Sequence, residues 1–251
     1  PLGRTLDEAR TISAVCRRKG LTAAVNFQLR YAPPFLALRD LLDSGRLGVV
    51  HDIQMQVTIL TPWNLWDFLQ REERVEILYH SIHYLDAIRA LAGDPHGVWA
   101  RTVRYAGYTQ LADVKSTTIL DYGDTLRAVV SANHCHRGGL IHQESYLRVE
   151  GEKGIVHLTL GLCLDYPRGQ PDRLEVCLFE DGHEPAWQTV PVEGTWFPHA
   201  FIGTMASVMR KVEDPTRELP TSMDDAVRTM ALVEAAYTSS ASGATPIPYE
   251  E

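Results

Sequence analysis

The chain has 251 residues, 45% of them hydrophobic and 22% charged, with a net charge of −8 and a pI near 5.7. That is the profile of an ordinary folded chain, not a disordered or fibrous one. Its acidity, with no basic block, argues against nucleic acid or an anionic membrane surface as a partner. Apolar runs fall far short of the ~20 residues a membrane span requires, and the opening residues have no signal-peptide pattern. Four scattered cysteines without a CxxC (Cys16, Cys135, Cys163, Cys177) predict reduced thiols in a cytoplasmic protein.

In chain order, LDEARTISAVCRRKG (6–20) reads as a helix. Thr5 caps it, Asp7 and Glu8 fill the first turn, basic residues fill the last and Gly20 ends it. LTAAVNF (21–27) reads as a short buried strand. Pro33-Pro34 opens a second helix (34–45), with Phe35, Leu38, Leu41 and Leu42 at helical spacing and Gly45 as its stop. VVHDIQMQVTIL (49–60) alternates apolar and polar residues with one slip, as a half-buried strand does. An aromatic-rich loop, TPWNLWDFLQREER (61–74), precedes the helix ILYHSIHYLDAIRALAG (77–93).

From 97 to about 192 the texture changes to short β-branched and aromatic segments: VWARTVRY, KSTTILDY, TLRAVVSAN, ESYLRVEG, GIVHLTLG and RLEVCLFE (173–180). DYGDT (121–125) and EGEKG (150–154) are hairpin turns between them. Two helices close the chain, 198–214 and 222–243, the second with Ser222 as N-cap, Asp224 and Asp225 in its first turn and Gly243 as stop. Strands grouped together, with helices segregated, predict an α+β fold: an open, largely antiparallel sheet covered by helices on one face. A soft boundary lies near residues 28–34, where the helix-strand unit gives way at RYAPP.

The helix 77–93 carries the candidate chemistry. At ~100° per residue, Leu78, Ile82, Leu85, Ile88 and Ala92 form an apolar stripe, and Tyr79, His83, Asp86 and Ala90 lie on a neighbouring one. His80 lies ~60° from His83. Three readings fit this pattern. The polar groups can be hydrogen-bonding residues at a core margin, a general acid/base site, or, with Glu76, His80, His83 and Asp86 together, a metal site. His134 and His136 share a strand face and read as incidental surface polarity. His199, after WFP at a helix start, is placed to reach a pocket. GxSxG, the P-loop and GxGxxG are all absent.

Several segments resemble the Gfo/Idh/MocA oxidoreductase family: PLGRTLDEAR (1–10), NFQLRYAPPF (26–35), SIHYLDAIRALAGDP (81–95), YLRVEGEKGIVHL (146–158), WFPHAFIGTMASVM (196–209) and the helix 222–243. The resemblance covers nearly the whole chain. It implies that residues 1–30 are the last helix and strand of a Rossmann domain, and 31–251 a C-terminal substrate-binding and oligomerisation domain. His83 then corresponds to the family's catalytic histidine, which moves a proton as hydride passes to nicotinamide; a histidine suits that work because its pKa lies near neutrality. Tyr79 stands where relatives often carry an aspartate and joins His83 as a catalytic candidate, with His80 a possible substitute. Arg30 and Tyr31 fall near cofactor and substrate. Trp63 and Trp66 are expected to shape the substrate pocket or to pack beside the sheet, and Asp86 and His199 complete the substrate-binding candidates.

The resemblance further implies a sugar, cyclitol or polyol substrate, NAD or NADP in the intact protein, and a homodimer or homotetramer through the open sheet face. The family's glycine-rich turn and catalytic lysine would precede Pro1, so this chain alone is expected to hold no cofactor and to be inactive. A non-catalytic small-molecule sensor and a metal-dependent sugar isomerase or hydrolase are the alternatives.

Overall fold

The structure is a computed structural model describing residues 1–179 and 182–246. Eight strands form one sheet: β1 (Val50–Thr58), β2 (Gly97–Val103), β3 (Lys115–Asp121), β4 (Arg127–Asn133), β5 (Glu144–Gly151), β6 (Gly154–Thr159), β7 (Arg173–Leu178) and β8 (Ala186–Val190). Their order is β2-β3-β4-β1-β5-β6-β7-β8. Only β1 and β4 run parallel; every other neighbouring pair is antiparallel. Parallel neighbours need a long crossover, and the chain between β1 and β4 supplies it through the histidine helix and the β2–β3 hairpin. The slip in the alternation of the first strand is a bulge between Val50 and Asp52, which re-phases the following residues so that Ile53, Met55 and Val57 all face the core.

Five α-helices accompany the sheet: α1 (Leu6–Arg18), α2 (Pro33–Asp43), α3 (Ile82–Ala92), α4 (Ala200–Glu213) and α5 (Met223–Ala241). Phe35 and Leu38 of α2, Ile82, Leu85 and Ile88 of α3, and Met230 and Val233 of α5 share one buried cluster with the inward residues of β1, β4, β5, β6 and β7. The other sheet face is open. Along its middle run Val129, Gln54, Arg148 and His157 in register, all half-buried, flanked at the β2 edge by exposed Trp99 and Ile119. One covered face and one open face is the expected α+β arrangement. No described helix is long and apolar enough to cross a membrane, and all four cysteines are free thiols.

Three local expectations change. Segment 21–27 is not a strand: it makes one bridge, Ala24 with Ser222, and Val25 N–H donates to the Thr221 carbonyl at 2.9 Å. An apolar run becomes a strand only when a neighbouring strand pairs with it, and here the chain offers only a helix N-terminus. An eighth strand appears at Ala186–Val190, an edge strand with exposed residues and no alternation. The strand expected over 173–180 ends at Leu178, and Glu180 lies outside the described residues.

The caps behave as expected. Thr5 Oγ1 accepts from Glu8 N–H at 3.2 Å and Ser222 Oγ from Asp225 N–H at 3.3 Å. α1 packs on α5, held by Ser13 and Arg17, which donate to Asp224 at 2.7 and 2.6 Å. α4 approaches the Tyr31 turn at Gly203, where a Cβ would meet Tyr31 Cβ at 2.7 Å. Only glycine allows that approach.

Candidate functional site

The histidine helix begins as a π-turn. Glu76–Ser81 form one wide turn that leads directly into α3. Asp113 caps its start, accepting from Val75 N–H at 2.8 Å, from Glu76 N–H at 3.3 Å and from the Tyr237 hydroxyl at 3.2 Å. Burial pushes the Asp113 carboxyl up to about 6. Such turns insert one residue into the helical register and are frequent at functional sites. Here the insertion changes the phase of everything before Ile82, so Glu76 and His80 do not lie where a regular helix would put them.

His83 lines a cleft of about 200 Å³. Tyr79, His80 and Tyr84 share its wall, Trp66 and Tyr166 stack across it at 5.7 Å, and Trp196 and Phe197 close one side. The His83 ring stands edge-on to Phe27 at 6.0 Å, and its Nδ1 is buried without a hydrogen-bond partner. Burial lowers the His83 pKa to about 3. The imidazole is therefore neutral at pH 7 and carries no structural hydrogen bond at Nδ1; its pKa is not near neutrality as the residue type suggests, so it is a weaker base than an exposed histidine. A mostly aromatic cleft with a few convergent polar groups is the general form of a small-molecule site.

Tyr79 contributes its ring to that wall, edge-on to Phe68 at 5.6 Å. Burial, then a hydrogen bond to Glu72, raises its pKa. Its hydroxyl is thus engaged with Glu72, which in turn pairs with Arg4 at 3.0 Å. His80 sits where the cleft meets a second hollow of about 210 Å³ that Trp63, Trp66 and Phe68 also line. Of the aromatic loop 61–74, Thr61 and Trp66 line the His83 cleft, whereas Trp63 and Phe68 line only the second hollow and Trp63 packs with Leu69 and Val75.

Asp86 and Arg30 do something different. Arg30 donates from Nε and Nη2 to the two Asp86 oxygens, each at 2.6 Å, and from Nη2 to Asp225 at 2.7 Å. Thr229 Oγ1 donates to Asp86 Oδ1 at 2.8 Å. Burial raises the Asp86 carboxyl, and the Arg30 fork and the Thr229 hydroxyl offset that only in part; the bidentate geometry is that of an ionised pair. Neither residue lines the cleft. Their network ties the turn 28–31 to α3 and α5. The four-residue metal cluster read from spacing does not assemble, because Asp86 is fully used here.

Tyr31 is packed against α4, with its hydroxyl buried and without a partner, and does not line the cleft. His199 is exposed, its Nδ1 accepting from Thr195 N–H at 3.1 Å, while the two residues before Pro198 reach the cleft. Gln28, Tyr166, Trp196 and Phe197 were not singled out by the sequence, although the aromatics near prolines were a usable signal. His134 corrects the expectation of surface polarity: it is fully buried, because the strand ends at Asn133 and the alternation stops there.

Residues 35–157 match the model of the GFO/IDH/MocA C-terminal domain. Over 98% of its length the chain is 28% identical to a D-apiose dehydrogenase from Paraburkholderia graminis and 26% identical to one from Rhizobium rhizogenes. It spans 64% of the first protein, less than two thirds, and 70% of the second. Among solved structures, an oxidoreductase from Agrobacterium radiobacter in complex with NAD+, L-tartaric acid and magnesium shares the fold with a TM-score of 0.77 at 23% identity, over 96% of this chain and 69% of that one. An aldose-aldose oxidoreductase from Caulobacter crescentus, complexed with glycerol, does so at 0.77 and 18%, over 97% and 69%.

Proposed function

Because the chain belongs to the GFO/IDH/MocA family, we propose that it is the substrate half of a nicotinamide-dependent oxidoreductase acting on a sugar or related polyol, with His83 as the proton-transfer group. The observation that carries this reading is the neutral His83, free at Nδ1, in an aromatic-walled cleft. Sugar C–H faces pack on aromatic rings, and Trp66, Tyr166, Trp196 and Phe197 supply such rings. The two D-apiose dehydrogenases and the aldose-aldose oxidoreductase point to the same substrate class. A neutral imidazole accepts the proton of a substrate hydroxyl during oxidation and returns it during reduction. Tyr79, through its ring, and His80 share the cleft wall with His83.

The described residues fit the proton side of this chemistry and not the dinucleotide side. They hold no strand, glycine-rich turn and helix unit of the kind that cradles a pyrophosphate, and segment 21–27 bridges to Thr221 and Ser222. We read residues 1–30 as the margin of a nucleotide-binding domain and 31–251 as the substrate domain. NAD or NADP is the hydride carrier in this reading, and the chemistry assigned to the described residues is the proton step.

The open sheet face is the surface offered to a second copy, since Trp99 and Ile119 are exposed on it beside polar groups able to pair across an axis. Light scattering should show a dimer that Trp99→Glu dissociates; a monomeric wild type would refute this. Substrate class is tested by titrating the 251-residue chain with D-apiose and a panel of aldoses and polyols, following tryptophan fluorescence. A saturable response that Trp66→Ala removes is expected. No response to any sugar would contradict the reading.

A further inference from the structure

We propose that Glu76, His80 and His134 bind a divalent transition-metal cation of the zinc class. One ligand atom from each residue lies within 4.8 Å of the other two. Glu76 Oε1 and His134 Nε2 are 3.2 Å apart, close to the roughly 3.3 Å between two ligands of a tetrahedral zinc with bonds of about 2.0–2.1 Å. The ring of His80 meets that of His134 edge-on, with centroids 4.0 Å apart.

The surroundings are those of a ligand set held ready. His134 Nδ1 is 2.8 Å from Thr61 Oγ1, which fixes the ring and leaves Nε2 turned to Glu76, as metal-binding histidines are commonly held through their other nitrogen. The backbone locks the same pair: Thr61 N–H donates to the His134 carbonyl at 3.2 Å. Ser81 Oγ donates to Glu76 Oε1 at 2.6 Å. His80 Nδ1 remains buried without a partner, and a buried polar atom without a partner calls for an explanation.

The chemistry selects the ion. Two imidazoles and one carboxylate suit zinc and its neighbours, whereas magnesium and calcium prefer all-oxygen sets. No lysine or arginine hydrogen-bonds to the cluster among the described residues, and the Asp113 carboxyl stands nearby. His80 also lines the hollow of about 210 Å³. The wide turn that carries Glu76 and His80 gains a purpose: it brings both onto the side where β4 ends. This site stands independently of the oxidoreductase reading.

The test is metal content of the 251-residue chain by mass spectrometry after dialysis against zinc, with cobalt(II) absorption as a second readout. One equivalent of zinc and a tetrahedral cobalt spectrum are expected. Both should be lost, with affinity falling more than about 100-fold, in His80→Gln and in His134→Gln, the loss of a ligand exceeding that of an outer partner. His83→Gln should retain the metal. Only trace zinc in the wild type, or unchanged binding in either of the two ligand variants, would overturn the proposal. If circular dichroism shows His134→Gln unfolded, His80→Gln, at the cleft wall, decides alone.

Discussion

The two sides of the histidine helix are built on opposite principles. On one side Asp86 is 1% exposed and has every oxygen satisfied, by Arg30 from 56 residues away and by Thr229 from 143. On the other, three residues earlier, His83 is also enclosed but keeps Nδ1 without a partner. Saturated polar groups hold elements together; unsaturated ones are available for chemistry. Both residues belong to the same short motif, and their spacing alone does not say which is which.

The comparison breaks first at Asp86. Asp86→Ala leaves Arg30 buried with only Asp225 and backbone to answer its charge. Loss of one partner of a buried pair costs about 3–5 kcal/mol, so denaturant unfolding should show a drop of that order. A change under about 1 kcal/mol would mean that the network is not structural.

A smaller effect sharpens the other side. His83 is held neutral with its pKa lowered to about 3, whereas an unfolded-state histidine titrates near 6.5. The unfolded chain therefore binds more protons as pH falls, and this contribution to stability, present above about pH 6.5, is lost on acidification. Between pH 7 and pH 5 it amounts to about 2 kcal/mol. His83→Gln should flatten the decline by that amount. Asp113, raised to about 6, acts with the opposite sign over the same range: its contribution is present at low pH and lost as pH rises through 6. It is common to wild type and variant and cancels in their difference. Parallel pH profiles would show that His83 is not held neutral by its surroundings.

Much of the fold was legible because its signals are local. The caps at Thr5 and Ser222, the alternation of β3 to β7 and the apolar stripe Leu78, Ile82, Leu85 and Ile88 follow from neighbours in sequence. What was not legible depends on distant partners. Segment 21–27 has strand composition but meets no strand, β8 is exposed and has no period, and the π-turn shifts the phase on which the helical angles were built. His134 was misjudged for the same reason, since its partners Thr61 and Glu76 lie 73 and 58 residues away. Residue type and motif order singled out His83, which lines the cleft, and equally Asp86 and Arg30, which pair with each other away from it.

The central claim is that His83 moves the proton, and steady-state kinetics of His83→Ala in the turnover-competent protein tests it most directly. The account predicts that kcat falls by about 10²–10⁴-fold while sugar binding, read from tryptophan fluorescence, persists. A variant that turns over at the wild-type rate would contradict it.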